Sequence, residues 1–315
     1  MLTQPDFTKK KILYISHKEG FVTDIRFRNS NIAIYRESEK VNQISCHLVF
    51  SIFIIGNFTI TSELIRNAQK FGISIFMLNH LLQVYSVINA NAEGNYHLHQ
   101  IQYSTTKEAS LLIAKKIVRN KIKNQQHILD LYEKQTDILP IIAKSDKSKD
   151  IQSLLGFEGE AAKIYFKNVF SSCMWYRRAP RTKEDVPNLL LDIGYTFTFN
   201  YVDALLRLFG FDTYKGNYHQ LFFQRKSLSC DVMEAIRPII DKELVKSYNL
   251  GIVDEKDFKF KDGSYYFATG VDKKYVGIWF DLLMKYRDEV YKYIFDYYHY
   301  VLNSQKYKFP YFKIK

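Results

Sequence analysis

Cysteine is scarce in this sequence, and no two cysteines are close together. The three that occur, Cys46, Cys173 and Cys230, form no CxxC pair, which argues against a zinc-binding or dithiol redox motif. An odd number of scattered thiols is typical of proteins in a reducing compartment. We therefore expect an intracellular, cytoplasmic protein, and a chain of 315 residues can bury its core without disulfide bonds.

Long apolar segments are also missing. The most apolar run, residues 48–55, covers only eight residues, whereas a helix that crosses a bilayer needs about 20. The first residues, MLTQPDFTKKK, carry charges without a following apolar stretch, so we expect no signal peptide. These absences argue against a membrane partner.

Acidic residues are too few to balance the basic ones. The sequence holds 45 Lys and Arg against 33 Asp and Glu, a net charge of +12, which favours a polyanionic partner. Because 33 of the basic residues are Lys, a compositional bias of the genome explains the surplus equally well. Two-thirds of the surplus lies in residues 104–183, where 16 basic residues accompany 8 acidic ones.

The pattern of apolar residues changes along the chain. Residues 11–88 contain short, partly alternating apolar segments typical of strands, interrupted by one predicted helix from Thr61 to Gly72. Later apolar residues recur at three- and four-residue steps, as in amphipathic helices. We predict an α+β fold with a small N-terminal β-sheet or sandwich domain (1–92), a linker (93–103) and a larger all-α catalytic domain (104–315). The predicted helices are 107–134, 158–175, 187–209, 227–246 and 276–302, with loops at 143–150, 177–185 and 257–265.

Two segments in the helical part offer candidate metal ligands. In GFEGEAAKIYF, Glu158 lies between Gly156 and Gly159 at the predicted start of a helix. An acidic residue there also serves simply to offset the helix dipole. In GFDTYKGNYHQ, a polar loop ends at His219, which as a single histidine is equally consistent with a packing or capping role.

A third segment, SLSCDVMEAIRP, adds further carboxylates. Asp231, Glu234 and Arg237 recur at three-residue steps, consistent with one exposed helix face. However, the surrounding residues are apolar, and a shared divalent cation would explain two like charges there. Two carboxylates and one imidazole suit Mg²⁺ or Mn²⁺, although spacing alone does not show that these groups meet.

These three segments, in this order, resemble the CRISPR-associated adaptation integrases, the Cas-one endonuclease family. VPNLLLDIGYTF at residues 186–197 and IFIIGNFTITSELIRNAQKFGISIFML in the N-terminal part resemble further family segments. The resemblance extends from residue 11 to about residue 240. The sequence departs from the family where many relatives have proline after Gly-x-Asp, since Thr213 stands there.

The resemblance implies a metal-dependent integrase that inserts short DNA segments into a CRISPR array. A 3′-hydroxyl of the incoming double-stranded DNA would attack a phosphodiester at the repeat boundary. Glu158, His219 and Glu234 would be the catalytic ligands of Mg²⁺ or Mn²⁺, with Asp231 as an auxiliary acidic group. The expected DNA-binding residues are Lys163, Lys167, Arg177, Arg178, Arg181, Lys183 and Arg237.

The same resemblance implies a homodimer formed through the β-domain and a small Cas-two partner. Two other functions remain open from the residues alone. One is a general metal-dependent nuclease that cleaves branched or single-stranded DNA. The other is a DNA-binding scaffold without catalytic activity, although the complete ligand set argues against it.

Overall fold

The structure, a computed structural model, describes residues 10–16, 23–79, 84–88, 95–173, 175–180, 182–220 and 222–315. The chain divides into two units. One comprises residues 1–99 and 203–211, and the other comprises residues 100–202 and 212–315. The α+β class is confirmed, with sheets in the N-terminal part and helices dominating the rest.

The first unit contains two four-stranded sheets. One has the order β1-β5-β7-β8, with β1, β5 and β7 parallel and β8 antiparallel to β7, and the other has the order β4-β3-β2-β6. The strands are β1 (Lys11–Ser16), β2 (Thr23–Arg28), β3 (Asn31–Arg36), β4 (Glu39–Ser45), β5 (Val49–Ile55), β6 (Thr59–Ile60), β7 (Ser74–Leu78) and β8 (Val84–Ile88).

Both sheets contribute to one apolar core. Ile25 and Ile32 come from one sheet, and Ile52 and Ile75 come from the other. Every residue of β5 is buried, as expected for a central strand with both faces covered. Residues 49–55 of the apolar run therefore form a core strand, whereas Leu48 precedes the strand and is exposed.

Helix α1 (Ser62–Lys70) packs into this core through Leu64 and Ala68. The hydroxyl of Thr61 accepts a hydrogen bond from the backbone N–H of Leu64 at 3.2 Å, which caps the first turn. Gly72 follows the helix with φ of +70°, a conformation that glycine adopts without strain. Thr61 and Gly72, the bounds predicted from the sequence, thus flank this helix on either side.

The remaining helices lie after residue 95. They are α2 (Tyr96–Ser104), α3 (Lys107–Leu131), α4 (Pro140–Asp146), α5 (Ile151–Val169), α6 (Val186–Leu208), α7 (Ser227–Met233), α8 (Arg237–Asn249), α9 (Asp272–Lys285) and α10 (Arg287–Leu302). Within the described ranges, no helix is both long and apolar enough to cross a membrane.

Several segments predicted as loops or as the linker contain regular secondary structure. Residues 96–103 of the expected linker belong to α2, and part of the expected loop at 143–150 lies in α4. The expected loop at 257–265 contains the antiparallel hairpin of β9 (Phe258–Lys261) and β10 (Ser264–Phe267). Its strands are only four residues long, too short to give a clear alternating pattern.

Two glycines within helices allow a direct test of packing. A Cβ added at Gly194 would lie 2.5 Å from Cγ2 of Ile240, whereas one at Gly156 would have nothing within 4 Å. We expect Gly194→Ala to lower the free energy of unfolding by about 1–3 kcal/mol through overpacking. Gly156→Ala should raise it by about 0.5–1 kcal/mol through helix propensity. Urea denaturation of both variants measures this, and equal shifts of the same sign would contradict the packing described here.

Candidate active site

Glu158 lies well inside helix α5. The helix begins at Ile151, where the carboxylate of Asp150 accepts a hydrogen bond from the N–H of Ser153 at 2.7 Å. The predicted start at Glu158 was therefore wrong, because Asp150 was the actual capping signal. About two turns separate Glu158 from the start of the helix, so compensation of the helix dipole does not account for it.

The loop that carries His219 is organised by Asp231 of α7. Oδ2 of Asp231 accepts hydrogen bonds from the backbone N–H groups of Asn217 at 2.6 Å and Tyr218 at 2.9 Å. Oδ1 accepts the N–H of His219 at 2.8 Å and lies 2.8 Å from Nδ1 of the same residue. The carboxylate is fully buried. It therefore fixes both the loop and the imidazole ring.

This arrangement determines which ring nitrogen of His219 can serve as a ligand. Nδ1 faces a carboxylate and is the natural donor, so Nε2 carries the lone pair. Gly216 belongs to the same loop, and a Cβ there would lie 2.9 Å from Oδ2 of Asp231. The close approach of backbone to carboxylate therefore requires glycine.

Glu158 and Glu234 meet through Lys121 of helix α3. The ammonium of Lys121 donates a hydrogen bond to Oε1 of Glu158 and lies 2.7 Å from Oε2 of Glu234. The three side chains are 9%, 17% and 5% exposed in that order. The structure thus brings together two of the predicted ligands with a cation that the sequence analysis did not identify.

Lys121 did carry a signal in the sequence. Ala114, Val118, Lys121, Gln125 and Ile128 recur at three- and four-residue steps, and all are buried in α3. A lysine on the buried stripe of an amphipathic helix needs a partner, because an unpaired charge is costly to bury.

Glu234 lies where two helices are separated. The predicted helix 227–246 is interrupted after Met233 and resumes at Arg237. Pro238 in the first turn of α8 has no N–H to continue the earlier helix. Arg237 contacts Oε1 of Glu234 at 3.2 Å. Asp231 and Glu234 therefore do not form one continuous ladder, since Asp231 binds the loop and Glu234 binds two cations.

The charges at the site compensate one another. Burial raises the pKa of Glu234, but the neighbouring charges of Arg237 and Lys121 outweigh this and lower it overall. Burial lowers the pKa of Lys121, yet the two carboxylates raise it overall. Burial, followed by the charges of Glu158, Glu234 and Asp231, raises the pKa of Tyr218.

The donor chemistry fits a hard divalent cation. Oε2 of Glu234 is buried and lacks a hydrogen bond of acceptable geometry, although it forms an ion pair with Lys121. In the described part of the chain, however, no three His, Cys, Asp or Glu side chains form a ready-made metal cage. The two glutamates are instead joined by an ammonium group.

The described arginines among the expected DNA-binding residues have different partners. Arg177 binds Glu184 through two nitrogens at 3.0 and 3.1 Å, and Arg178 binds Asn188 and Asp192. Arg237 lies in the glutamate site, and Arg181 lies outside the described residues.

Three of the expected DNA-binding residues are lysines. Lys163 and Lys167 are exposed on α5, but about 140° and 180° around the helix from Glu158, at 100° per residue. Lys183 has φ of +52°, and its carbonyl accepts the N–H of Tyr265 in β10 at 2.8 Å. Its ammonium lies 5.3 Å from the centre of the Tyr266 ring. The loop is therefore braced by the hairpin.

A family model for the CRISPR associated protein Cas1 matches residues 13–280. The chain belongs to the Cas1 family. The match covers all three segments that suggested the site and confirms the resemblance read from the sequence. Thr213, where many relatives have proline, accepts the N–H of Leu228 through its carbonyl at 2.9 Å, so the loop is still anchored to α7.

Curated Cas1 relatives cover most of the chain. A protein of Thermodesulfovibrio yellowstonii named CRISPR-associated endonuclease Cas1 1 is 28% identical over 273 residues, which are 80% of this chain and 86% of the relative. A Rhodospirillum rubrum protein named CRISPR-associated endonuclease Cas1 2 is 25% identical over 296 residues, or 85% of each chain.

Solved structures show the same fold. A casposase bound to an integration product matches with a TM-score of 0.75 at 21% identity, covering 97% of this chain and 99% of that one. A Cas1 protein from Thermotoga maritima matches with a TM-score of 0.67 at 18% identity, covering 94% and 99%. A chain of a partial Cas6-RT-Cas1–Cas2 complex gives a TM-score of 0.78 at 22% identity, covering 97% and 98%.

Another buried carboxylate lies next to the candidate site. Asp241 accepts hydrogen bonds from the hydroxyls of Tyr165, at 3.0 Å, and Tyr195. The guanidinium of Arg237 lies 5.0 Å from the centre of the Tyr195 ring, linking this group to Glu234. Burial raises the pKa of Asp241 to about 6, while the two tyrosine hydrogen bonds act in the opposite direction.

The raised pKa of Asp241 gives a pH-dependent stability. The carboxyl titrates at about 6 in the folded chain against an ordinary 3.8, so its contribution is present below about pH 4 and lost as pH rises through 6. We expect Asp241→Asn, which stays neutral, to gain up to about 3 kcal/mol relative to wild type between pH 4 and pH 7. Urea denaturation at each pH measures the difference, and a pH-independent difference would contradict the assignment.

Proposed function

We propose that this chain is a CRISPR-associated DNA integrase and endonuclease that acts in spacer acquisition and antiviral defence. Glu158, His219 and Glu234 would bind Mg²⁺ or Mn²⁺. The observation that supports this most strongly is the pair of poorly exposed carboxylates from α5 and from the break between α7 and α8. A divalent ion in this donor set would polarise a phosphodiester and stabilise the charge that develops on its oxygens.

The other side chains of the site would mainly orient the metal ligands and neutralise negative charge on the phosphate. Asp231 orients the imidazole of His219 through Nδ1, which would leave Nε2 to bind the ion. Arg237 lies beside Glu234 and adds a permanent positive charge for a phosphate. A 3′-hydroxyl of the incoming DNA would be the nucleophile, so phosphoryl transfer needs no nucleophilic side chain.

We further propose that the substrates are double-stranded DNAs, the prespacer and the CRISPR repeat. The fold shared with a casposase bound to an integration product supports strand transfer. The fold shared with a chain of a Cas1–Cas2 complex supports a small Cas2 partner. We propose that the N-terminal β-domain forms the homodimer.

An assay that separates joining from cleavage tests the function. Purified protein is incubated with Mn²⁺, a labelled duplex and a supercoiled plasmid that carries a repeat, with and without Cas2. Label joined to plasmid at the repeat boundary is the expected result. Cleavage without joining would favour the general nuclease, and DNA binding without either reaction would favour the scaffold.

The carboxylate of Glu158 is expected to be essential. Glu158→Gln should lower the rate of joining about a hundredfold or more, because the amide is a poorer ligand for a hard cation. Glu160→Gln is the matched control, since Glu160 lies on the same helix, is 41% exposed and pairs only at the surface with Lys144 at 3.0 Å. Equal activity of Glu158→Gln and wild type, with both folded, would contradict the proposed ligand set.

The exposed lysines of α5 are expected to contact DNA phosphates. Lys163→Ala/Lys167→Ala should flatten the slope of log Kd against log salt concentration by about 2, since each contact contributes about 0.9. Lys246→Ala/Lys292→Ala is a matched control, because both lysines pair with carboxylates on their own helices. Fluorescence anisotropy with a labelled duplex gives the slopes, and identical slopes in both double variants would exclude these contacts.

A further inference from the structure

We propose that the ammonium of Lys121 is a built-in counter-ion that joins Glu158 to Glu234 in the metal-free protein and competes with the divalent cation for these carboxylates. The inference rests on the proposed metal-dependent function. By this competition, Lys121 would lower the affinity of the site for the metal. The competition also accounts for the lack of a ready-made cage among the described residues.

The competition follows from shared oxygens. The ammonium contacts Oε1 of Glu158 and lies 2.7 Å from Oε2 of Glu234, and these carboxylates are the proposed ligands. An ammonium and a divalent ion both offset the repulsion between the carboxylates, and each would be repelled by the other at this range. Binding of the metal therefore requires Lys121 to release at least one carboxylate.

The two glutamates differ in the ion-pair partners that they keep once Lys121 has moved away. Glu234 keeps the contact between its Oε1 and Arg237 at 3.2 Å. Glu158 has no second ion-pair partner within the described part of the chain. Exchange of Lys121 for a divalent ion would therefore change the electrostatic environment of Glu158 more than that of Glu234.

The position of Lys121 is built into the fold. Its neighbour Asn120 donates to the carbonyl of Phe312 at 2.8 Å and accepts the N–H of Phe312 at 2.8 Å. One turn later, Asn124 donates to the carbonyls of Phe312 at 3.0 Å and Ala235 at 2.7 Å. Both amides are buried. Helix α3 is thereby fixed to the backbone next to Glu234, so the placement of Lys121 is constrained on both sides.

Mn²⁺ binding by Lys121→Met tests the competition. Isothermal titration calorimetry near neutral pH measures the Kd for Mn²⁺, and electron paramagnetic resonance measures the free Mn²⁺. The Kd of Lys121→Met should be about tenfold or more lower than that of wild type. The metal-free variant should melt at a lower temperature, because the two carboxylates lose their shared cation. Added Mn²⁺ should therefore raise its Tm by more than it raises that of wild type.

Further variants test whether the change in Mn²⁺ affinity is specific to the charge of Lys121. Lys123→Met removes one charge from an exposed position of the same helix and should leave the Kd for Mn²⁺ unchanged. If Lys121→Met does not fold, Lys121→Gln removes the charge but keeps a hydrogen-bond donor and should shift the Kd in the same direction. Circular dichroism establishes that each variant is folded.

The outcomes separate this inference from the proposed function. If wild type binds Mn²⁺ and the folded Lys121 variants bind it equally or more weakly, Lys121 does not compete and the inference is wrong. If neither wild type nor any folded variant binds Mn²⁺, the proposed metal site is wrong and the inference falls with it. Tighter binding confined to the Lys121 variants supports the competition.

Discussion

Repulsion between two poorly exposed carboxylates is the constraint on which the candidate site depends. Glu158 and Glu234 come from different helical segments, and bringing them together requires a compensating cation. Lys121 supplies one between them and Arg237 supplies another beside Glu234. The buried amide of Asn124 then ties α3 to the carbonyl of Ala235. The same contacts therefore determine both how these helices pack and how the charges of the site are balanced.

The acidic residues of the site have different roles although their spacing is regular. Asp231 uses both oxygens to accept three backbone N–H groups and to hold the ring of His219, so its contribution to the site is organisation. Glu234, three positions later, has a buried oxygen without a well-aligned hydrogen bond. Asp241 is enclosed by two tyrosine hydroxyls. The role of each carboxylate thus follows from the hydrogen-bond donors and cations around it.

The sequence predicted the parts of this fold that local patterns encode. Alternating apolar residues indicated the strands, and Thr61 and Gly72 correctly marked one helix. The start of α5 was missed because Asp150 was assigned to a loop, and the break before Arg237 was missed because the periodicity continues through it. The hairpin of β9 and β10 was missed because strands of four residues carry little pattern. These errors arise where a single cap, a proline or a short pairing outweighs periodicity.

The sequence by itself determined the order of strands before helices. Its motifs indicated the Cas1 family, which the family model shows, and suggested three candidate ligands. Only the tertiary structure decided that Lys121 joins Glu158 to Glu234 and that Asp231 binds the loop of His219. It also decided that Arg177 pairs with Glu184 and Arg178 with Asp192. Lys121 and Glu158 are 37 positions apart, and periodicity describes only neighbours within a turn or two. Which charges share a buried site depends on how distant helices pack, because burial selects the partners that offset one another.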